Sequence, residues 1–329
     1  MRFDEYINEI DITEDTVITI GNFDGVHKGH KKLLDLTLKL SREHALKSVV
    51  FTYSNHPLEF VMNKSISKLT LNEERDRLFY EMGIDYILSV PFDETIMNLS
   101  TRAFIEHILI ENLNAKFLVL GEDARFGKGR EGSAAGIKAI AENLGLKVEI
   151  VPLYFEDGLR ISSTSVRELI KQGSLETANN YLGRIYSISG KVVHGKKNGR
   201  KIGFPTANVD YDSKVVLPGI GVYYTIVEHN NRHYLGATSV GYNPTVTELA
   251  KTVYLEVNLF NFSQDIYGEE ITVYFCKKIR NEMKFDSLEE LKNQIRKDKE
   301  MITKLFLSEN FADKQRKLFT TDKVCDIIM

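Results

Sequence analysis

The chain has 329 residues, 43% of them hydrophobic and 27% charged, with a formal net charge of -3. That is an ordinary globular composition, too long for one core and without the positive surplus of a nucleic-acid binder, so two domains and no nucleic-acid partner are expected. No apolar run is long enough to span a bilayer, the opening MRFDEYINEIDITED lacks the apolar core of a secretory signal, and two cysteines are too few for a disulfide framework; no membrane partner and a reducing cytoplasmic setting are expected.

From residue 16 onward, short β-branched runs alternate with longer helical periods, the pattern of βαβ units in a parallel sheet. TVITI (16–20), SVVFTY (48–53), DYILSV (85–90), KFLVL (116–120) and KVEIVPL (147–153) read as its strands. Between the first two, HKKLLDLTLKLSREHA carries leucines at 33, 34, 36, 38 and 40 on a broad apolar face. NEERDRLFYEMG begins on acidic residues and stops at Gly83, as a helix does, and RAFIEHILIENLN continues the alternation. In RISSTSVRELI (160–170), Ser165 and Glu168 read as a capping box.

Past residue 184 the pattern changes. YSISGKVVHG, GVYYTIVEHN, RHYLGATSVGY, KTVYLEVNLF and EEITVYFCKKI are strand-like and joined by turn residues, which predicts an antiparallel barrel or sandwich. Ser287, with Glu290 three residues on, then caps a long helix, SLEELKNQIRKDKEMITKLFL. The domains are therefore expected at 1–184 and 185–308, followed by a tail, 309–329, to which the sequence assigns no role.

Two stretches carry chemistry. GNFDGVHKGH (21–30) lies where a parallel sheet binds ligands, between a strand end and a helix N-terminus that attracts anions. Gly21, Gly25 and Gly29 allow close backbone approach, and His27 and His30 can face a phosphate. The spacing fits neither the dinucleotide fingerprint nor the P-loop, and two histidines three residues apart also read as surface residues or part of a metal site. In RISSTSVRELI, a cap alone leaves Arg160, Ser163, Thr164 and Arg167 unexplained; hydroxyls and arginines at a helix start make a second anion cradle.

In GKVVHGKKNGRKIGFPTAN (190–208), Gly195 and Gly199 read as a hairpin loop with a basic tip. Pro205 fixes the backbone before Thr206 and Asn208, whose side-chain oxygens stand on alternate positions of an extended chain and can share one magnesium-bound phosphate. Glu256, taken alone, is one carboxylate on an alternating strand.

His-x-Gly-His at a strand-to-helix turn, with a later Ile-Ser-Ser-Thr-x-x-Arg, resembles the nucleotidylyltransferase superfamily. With HP (56–57) and LGEDARFGKGREG (120–132), it resembles the adenylyltransferase module of bacterial bifunctional riboflavin kinase/FAD synthetases. GFPTAN, LPGIGVYY (217–224), EVNLFNFSQDIYG (256–268) and RNEMKFDSLEELKNQIRKD (280–298) resemble the riboflavin kinase module of the same family. The resemblance implies a Rossmann-like parallel sheet followed by a six-stranded antiparallel barrel with a C-terminal helix. It implies riboflavin phosphorylation to FMN and FMN adenylylation to FAD, with ATP as co-substrate, Mg2+, released pyrophosphate and no tightly bound prosthetic group.

By the same resemblance, His27, His30 and Arg167 are catalytic in adenylyl transfer. Gly21, Asn22, Phe23, Gly25, Gly29, Gly121, Asp123, Arg160, Ser163 and Thr164 bind nucleotide or phosphate, and His56 lies on the flavin side. In the kinase, Glu256 is the general base, Gly195 and Gly199 cover ATP, Thr206 and Asn208 hold Mg2+ and phosphate, and Arg280 and Glu282 meet the flavin; Lys196, Lys197 and Lys201 assist electrostatically. The chain departs from the family pattern at Asn55, Ala124, Ser133 and Ser239. Two other readings stay open: a module that adenylylates or cytidylylates another small molecule, since phosphate motifs serve many acceptors, and a flavin-responsive binding protein that has lost transfer.

Overall fold

The computed structural model describes residues 3–130, 132–195, 203–242, 253–308 and 327–328. The chain forms two compact units, 1–163 and 164–329. This division falls ahead of the sequence boundary at 184/185 because the helix Leu175–Leu182 is tied to the strands that follow it. Its buried Asn179 donates to the Phe275 carbonyl (2.9 Å) and accepts from the Tyr186 N–H (2.8 Å).

The first unit is built on five parallel strands, β1 (Thr16–Ile20), β2 (Lys47–Tyr53), β3 (Tyr86–Val90), β4 (Ala115–Gly121) and, after the short antiparallel pair β5 (Arg125–Phe126) and β6 (Gly132–Ser133), β7 (Lys147–Val151). A second short pair, β8 (Phe155–Glu156) and β9 (Leu159–Arg160), closes the unit. The sheet order is β3-β2-β1-β4-β7. β1 is buried at every position, as a central parallel strand covered on both faces must be, and its threonines are satisfied internally: Thr16 donates to the Leu113 carbonyl (2.7 Å) and Thr19 to that of Val119 (3.0 Å). The order reverses beside β1, so its carboxyl end is the topological switch point where such sheets bind ligands.

The helix Lys28–His44 follows β1 and buries Leu34, Thr37, Leu38, Leu40 and Ser41, with Leu33 and Leu36 partly buried against the same cores, the broad apolar face its leucines predict. The segment expected as one helix at 102–114 is a single α-turn, Thr101–Ala103, continued by the π-helix Phe104–Asn112. The wide winding still sends Phe104, Ile105, Ile108 and Leu109 into the core, and the Asn112 amide donates to the His107 carbonyl (2.6 Å). A correction applies to the capping box at Ser165. The helix Ser163–Gln172 starts two residues earlier, leaving Ser165 inside its first turn, while the Ser163 hydroxyl donates to the Asp24 carbonyl (2.8 Å).

In the second unit, β10 (Tyr186–Val193), β11 (Ala207–Tyr211), β12 (Gly221–His229), β13 (Arg232–Tyr242), β14 (Val253–Leu259) and β15 (Glu270–Arg280) form an antiparallel barrel in the order β12-β15-β10-β11-β14-β13, closed by β13 pairing with β12. A two-residue strand, β16 (Ile327–Ile328), adds parallel to β13. Asn230 and Asn231, both with positive φ, turn the β12–β13 hairpin as a two-residue loop demands. The helix Leu288–Leu307 places Ile302 against Tyr224, Phe260 and Cys276. Its cap forms as expected: Ser287 Oγ accepts from the Glu290 N–H (3.2 Å), and the Glu290 carboxylate accepts from the Asp286 N–H (3.1 Å). Among the described residues, no helix is long and apolar enough to cross a membrane.

Candidate functional site

Each of the two stretches is held by contacts within one unit, the first within residues 1–163 and the second within 164–329. In the first, the turn after β1 holds Phe23 (φ 53°), Gly25 (φ 86°) and Val26 (φ 38°) in left-handed backbone. Phenylalanine and valine adopt that conformation only when their surroundings enforce it. Phe23 is buried edge-on to Phe79 (5.5 Å) and His30 (5.2 Å). The buried Asp24 carboxylate accepts from the N–H groups of Leu69 (2.8 Å) and Thr70 (3.3 Å), and the Thr70 hydroxyl accepts from the Gly25 N–H (3.0 Å).

His27 is the N-cap of the helix Lys28–His44. Its Nδ1 accepts from the His30 N–H (3.3 Å), which leaves Nε2 as the donor position of the neutral ring. The two imidazoles stack with centroids 3.7 Å apart. Glycine at 29 makes this possible, because a Cβ there would lie 3.1 Å from the His27 ring; one at Gly21 would lie 3.1 Å from the Phe23 ring.

The second anion motif is brought against the first. Ser163 is bonded to Asp24, and a Cβ on Gly29 would lie 3.7 Å from the Ile161 carbonyl oxygen. The Arg160 guanidinium forms an ion pair with Asp123, just beyond Gly121 at the end of β4, and Lys28 of the histidine motif binds Glu156 of the β8–β9 hairpin (2.8 Å). The Asn22 carbonyl accepts from the Thr52 hydroxyl (3.4 Å). His56 is spent locally as the N-cap of the helix Pro57–Met62, its Nδ1 accepting from the Leu58 N–H (3.1 Å). Thr164 and Arg167 stand in the first turns of the helix Ser163–Gln172, on the second unit's side of the division.

The departures from the family pattern have structural uses. The Asn55 amide grips the backbone of Phe92 at both ends, donating to its carbonyl (2.9 Å) and accepting from its N–H (2.7 Å). Ser133 caps the helix Ala134–Asn143, accepting from the Gly136 N–H (3.3 Å), and Ala124 packs against the main core.

In the barrel, a cavity of about 890 Å³ is lined by Gly195, Thr206, Asn208, Ser239, Glu256, Arg280 and Glu282, gathering the described kinase residues the sequence singles out. Strand register explains the meeting: Asn208 on β11 and Ser239 on β13 both stand opposite Glu256 on β14. The Asn258 amide donates to the Pro205 carbonyl (2.7 Å), holding the start of the Thr206–Asn208 segment. Burial raises the Tyr254 hydroxyl above its ordinary pKa; its hydrogen bond with Ser239 opposes this, and the charges of Glu282 and Glu256 add to it. Arg280 is held by Asp298 of the helix Leu288–Leu307 (2.9 Å). Gly199, Lys196, Lys197 and Lys201 lie outside the described residues.

Sequence reasoning missed Asp24, Tyr254 and Asp298. Asp298 alone carried a legible signal: it interrupts the helical apolar stripe Leu291, Ile295, Ile302, where a carboxylate must face inward.

A family model described as FAD synthetase matches residues 9–165, and one described as riboflavin kinase matches 182–306. The chain is 40% identical to a bifunctional riboflavin kinase/FMN adenylyltransferase of Buchnera aphidicola subsp. Schizaphis graminum, covering 90% of this chain and 95% of that one. It is 41% identical to the protein of that name from Escherichia coli K12, covering 87% and 91%. A crystal structure described as a macrolide-efflux protein from Streptococcus pneumoniae superposes with a TM-score of 0.84 at 33% identity, covering 91% of this chain and 97% of that one. With both modules matched in order over most of its length, the chain belongs to the bifunctional riboflavin kinase/FMN adenylyltransferase family.

Proposed function

We propose that the protein makes FAD from riboflavin in two ATP-consuming steps, residues 185–308 phosphorylating riboflavin to FMN and residues 1–184 transferring AMP from ATP to FMN with release of pyrophosphate. The observation that carries this reading is the barrel cavity, where residues from four separate stretches of sequence meet around Glu256. The order of the two family models supports the division of labour.

In the kinase step, Glu256 takes the proton of the ribityl 5'-hydroxyl as that oxygen attacks the γ-phosphate of ATP. Arg280 and Glu282 stand at the flavin end, and Gly195 borders the nucleotide. The oxygens of Thr206 and Asn208, two residues apart on extended chain, suit a small hard cation, and the missing Cβ at Gly195 leaves the Asn208 amide room to turn. When bound there, Mg2+ would neutralise polyphosphate charge.

In the adenylyl step, a phosphate oxygen of FMN attacks the α-phosphorus of ATP directly, so the protein needs no nucleophile and works by position and charge. His27 and His30 donate to the phosphates and to the pentacoordinate phosphorus from a turn made rigid by Phe23 and Asp24. Gly21, Asn22, Gly25 and Gly29 keep the backbone within reach of the nucleotide. Arg160, Ser163, Thr164 and Arg167 hold the leaving pyrophosphate, and Gly121, Asp123 and His56 border the nucleotide and flavin region. The free, buried Cys276 suits a reducing cytoplasm.

Purified protein incubated with riboflavin, ATP and Mg2+ should form FMN first and then FAD, followed by chromatography over time. FMN that accumulates without conversion, even when supplied directly, would overturn the adenylyl half.

A further inference from the structure

We infer that Asp298 is a positioning residue for riboflavin in the kinase reaction, a buried carboxylate that acts through Arg280 to set the loop 281–287 against the flavin end of the cavity. The inference rests on the reading that Arg280 and Glu282 face the flavin.

Asp298 is 3% exposed. Its carboxylate oxygens accept from Arg280 Nε (3.1 and 3.0 Å), one of them also from the second guanidinium nitrogen (2.9 Å), and the other from the Gln294 amide (2.8 Å). Burying such a pair costs desolvation that its attraction seldom exceeds, so stability alone is a poor reason for a carboxylate in an apolar stripe. Position is a better one. Arg280 ends β15, Asp298 sits three turns into the helix Leu288–Leu307, and the pair clasps the two ends of the loop between them.

Arg280 in turn organises that loop. It donates to the Asn281 carbonyl (3.0 Å) and stands over the Phe285 ring (5.9 Å). Glu282, Met283 and Phe285 all line the cavity, and Glu282 accepts from the Tyr254 hydroxyl (3.3 Å). Thr206, Asn208 and Glu256 belong to a different part of the wall, on or beside β11 and β14. Loss of the Asp298 charge therefore loosens the flavin wall and leaves the phosphate-transfer groups in place.

The test is steady-state kinetics on the full chain. In Asp298→Asn, the riboflavin KM should rise roughly ten-fold, with the ATP KM and the kcat for FMN formation little changed. Conversion of supplied FMN to FAD, measured on the same sample, should stay at the wild-type rate and reports an intact first unit, while a wild-type kcat for FMN formation and an unchanged melting transition report a folded barrel. A folded D298N with a wild-type riboflavin KM, or with the loss in kcat or ATP KM instead, would overturn the inference. Should D298N not fold, Gln294→Leu decides: a smaller rise confined to the riboflavin KM supports the inference and an unchanged one sinks it. Glu256→Gln, run in parallel, tests the underlying reading separately, since FMN formation at the wild-type rate in that variant would mean the cavity is not the kinase site.

Discussion

At the scale of single residues, the two sites differ in how much room their glycines leave. A Cβ on Gly195 would fall 2.1 Å from the Asn208 amide nitrogen and 2.6 Å from its Cγ. Asn208 is a short side chain opposite Glu256, so it can escape only by leaving its place in the cavity. On the role proposed for Asn208 at the phosphates, a displacement near 1 Å costs about 100-fold in rate, so Gly195→Ala should cut FMN formation by about that factor while FMN-to-FAD conversion continues. Gly29→Ala is a gentler case, because the new methyl meets the His27 ring at 3.1 Å and a few tenths of an ångström of ring motion relieves it. A several-fold loss of FAD formation with unchanged FMN formation is expected there, and equal losses in the two glycine variants would contradict this geometric account. Gly29 and the histidines around it were legible because spacing alone puts them at a helix start. Asp24 was not, since its partners Leu69 and Thr70 are more than forty residues away and only the fold brings them together.

At the scale of elements, the five parallel strands could be read from their β-branched runs, whereas β11 was legible only as extended chain after Pro205, because nothing in GFPTANVDY shows its pairing with β10 and β14. The π-helix was equally hidden, since the period of its apolar residues is the one an α-helix would show. The β2–β3 pairing carries a testable pin. Asp85, just before β3, accepts from both the N–H (2.9 Å) and the hydroxyl (2.6 Å) of Ser48 and lies 3.4 Å from the Lys47 ammonium. Burial alone would raise the Asp85 carboxyl, but the two Ser48 hydrogen bonds and the Lys47 charge outweigh it and hold the pKa below its ordinary value. A carboxyl depressed in the folded state stabilises fully above its unfolded pKa, about 3.9, and loses that contribution as the pH falls through the folded value. Wild type should therefore exceed Asp85→Asn in urea resistance at neutral pH, and the gap should close as the pH falls below the ordinary carboxylate range and through the lowered folded-state value. A gap of constant size would mean that the carboxylate charge contributes nothing.

At the scale of the whole molecule, length and the change of pattern after residue 184 disclosed two domains, but not which core the helices between 163 and 182 serve. LETANNYLG reads as a helix in either case, and the answer lies in one buried amide. Asn179 satisfies the Phe275 carbonyl and the Tyr186 N–H, and the Gly219 N–H donates to the Ile170 carbonyl at the end of the preceding helix (3.2 Å). A fragment beginning at residue 164 keeps all three bonds, whereas one beginning at 185 removes them together with the buried Leu175, Tyr181 and Leu182. Each lost hydrogen bond costs about 0.5–1.5 kcal/mol and each large apolar side chain no longer buried about 1.5–3 kcal/mol, so the shorter fragment should melt roughly 10 °C or more below the longer one. The longer fragment should also retain riboflavin phosphorylation, since the described residues lining the barrel cavity proposed as the kinase site lie between 193 and 298. In the full chain, Asn179→Ala should lower the melting temperature in the same direction by a smaller amount and leave the riboflavin KM unchanged. Two fragments that melt together would mean that the helices only connect the units, and the sequence boundary at 184/185 would then be the better description of the barrel.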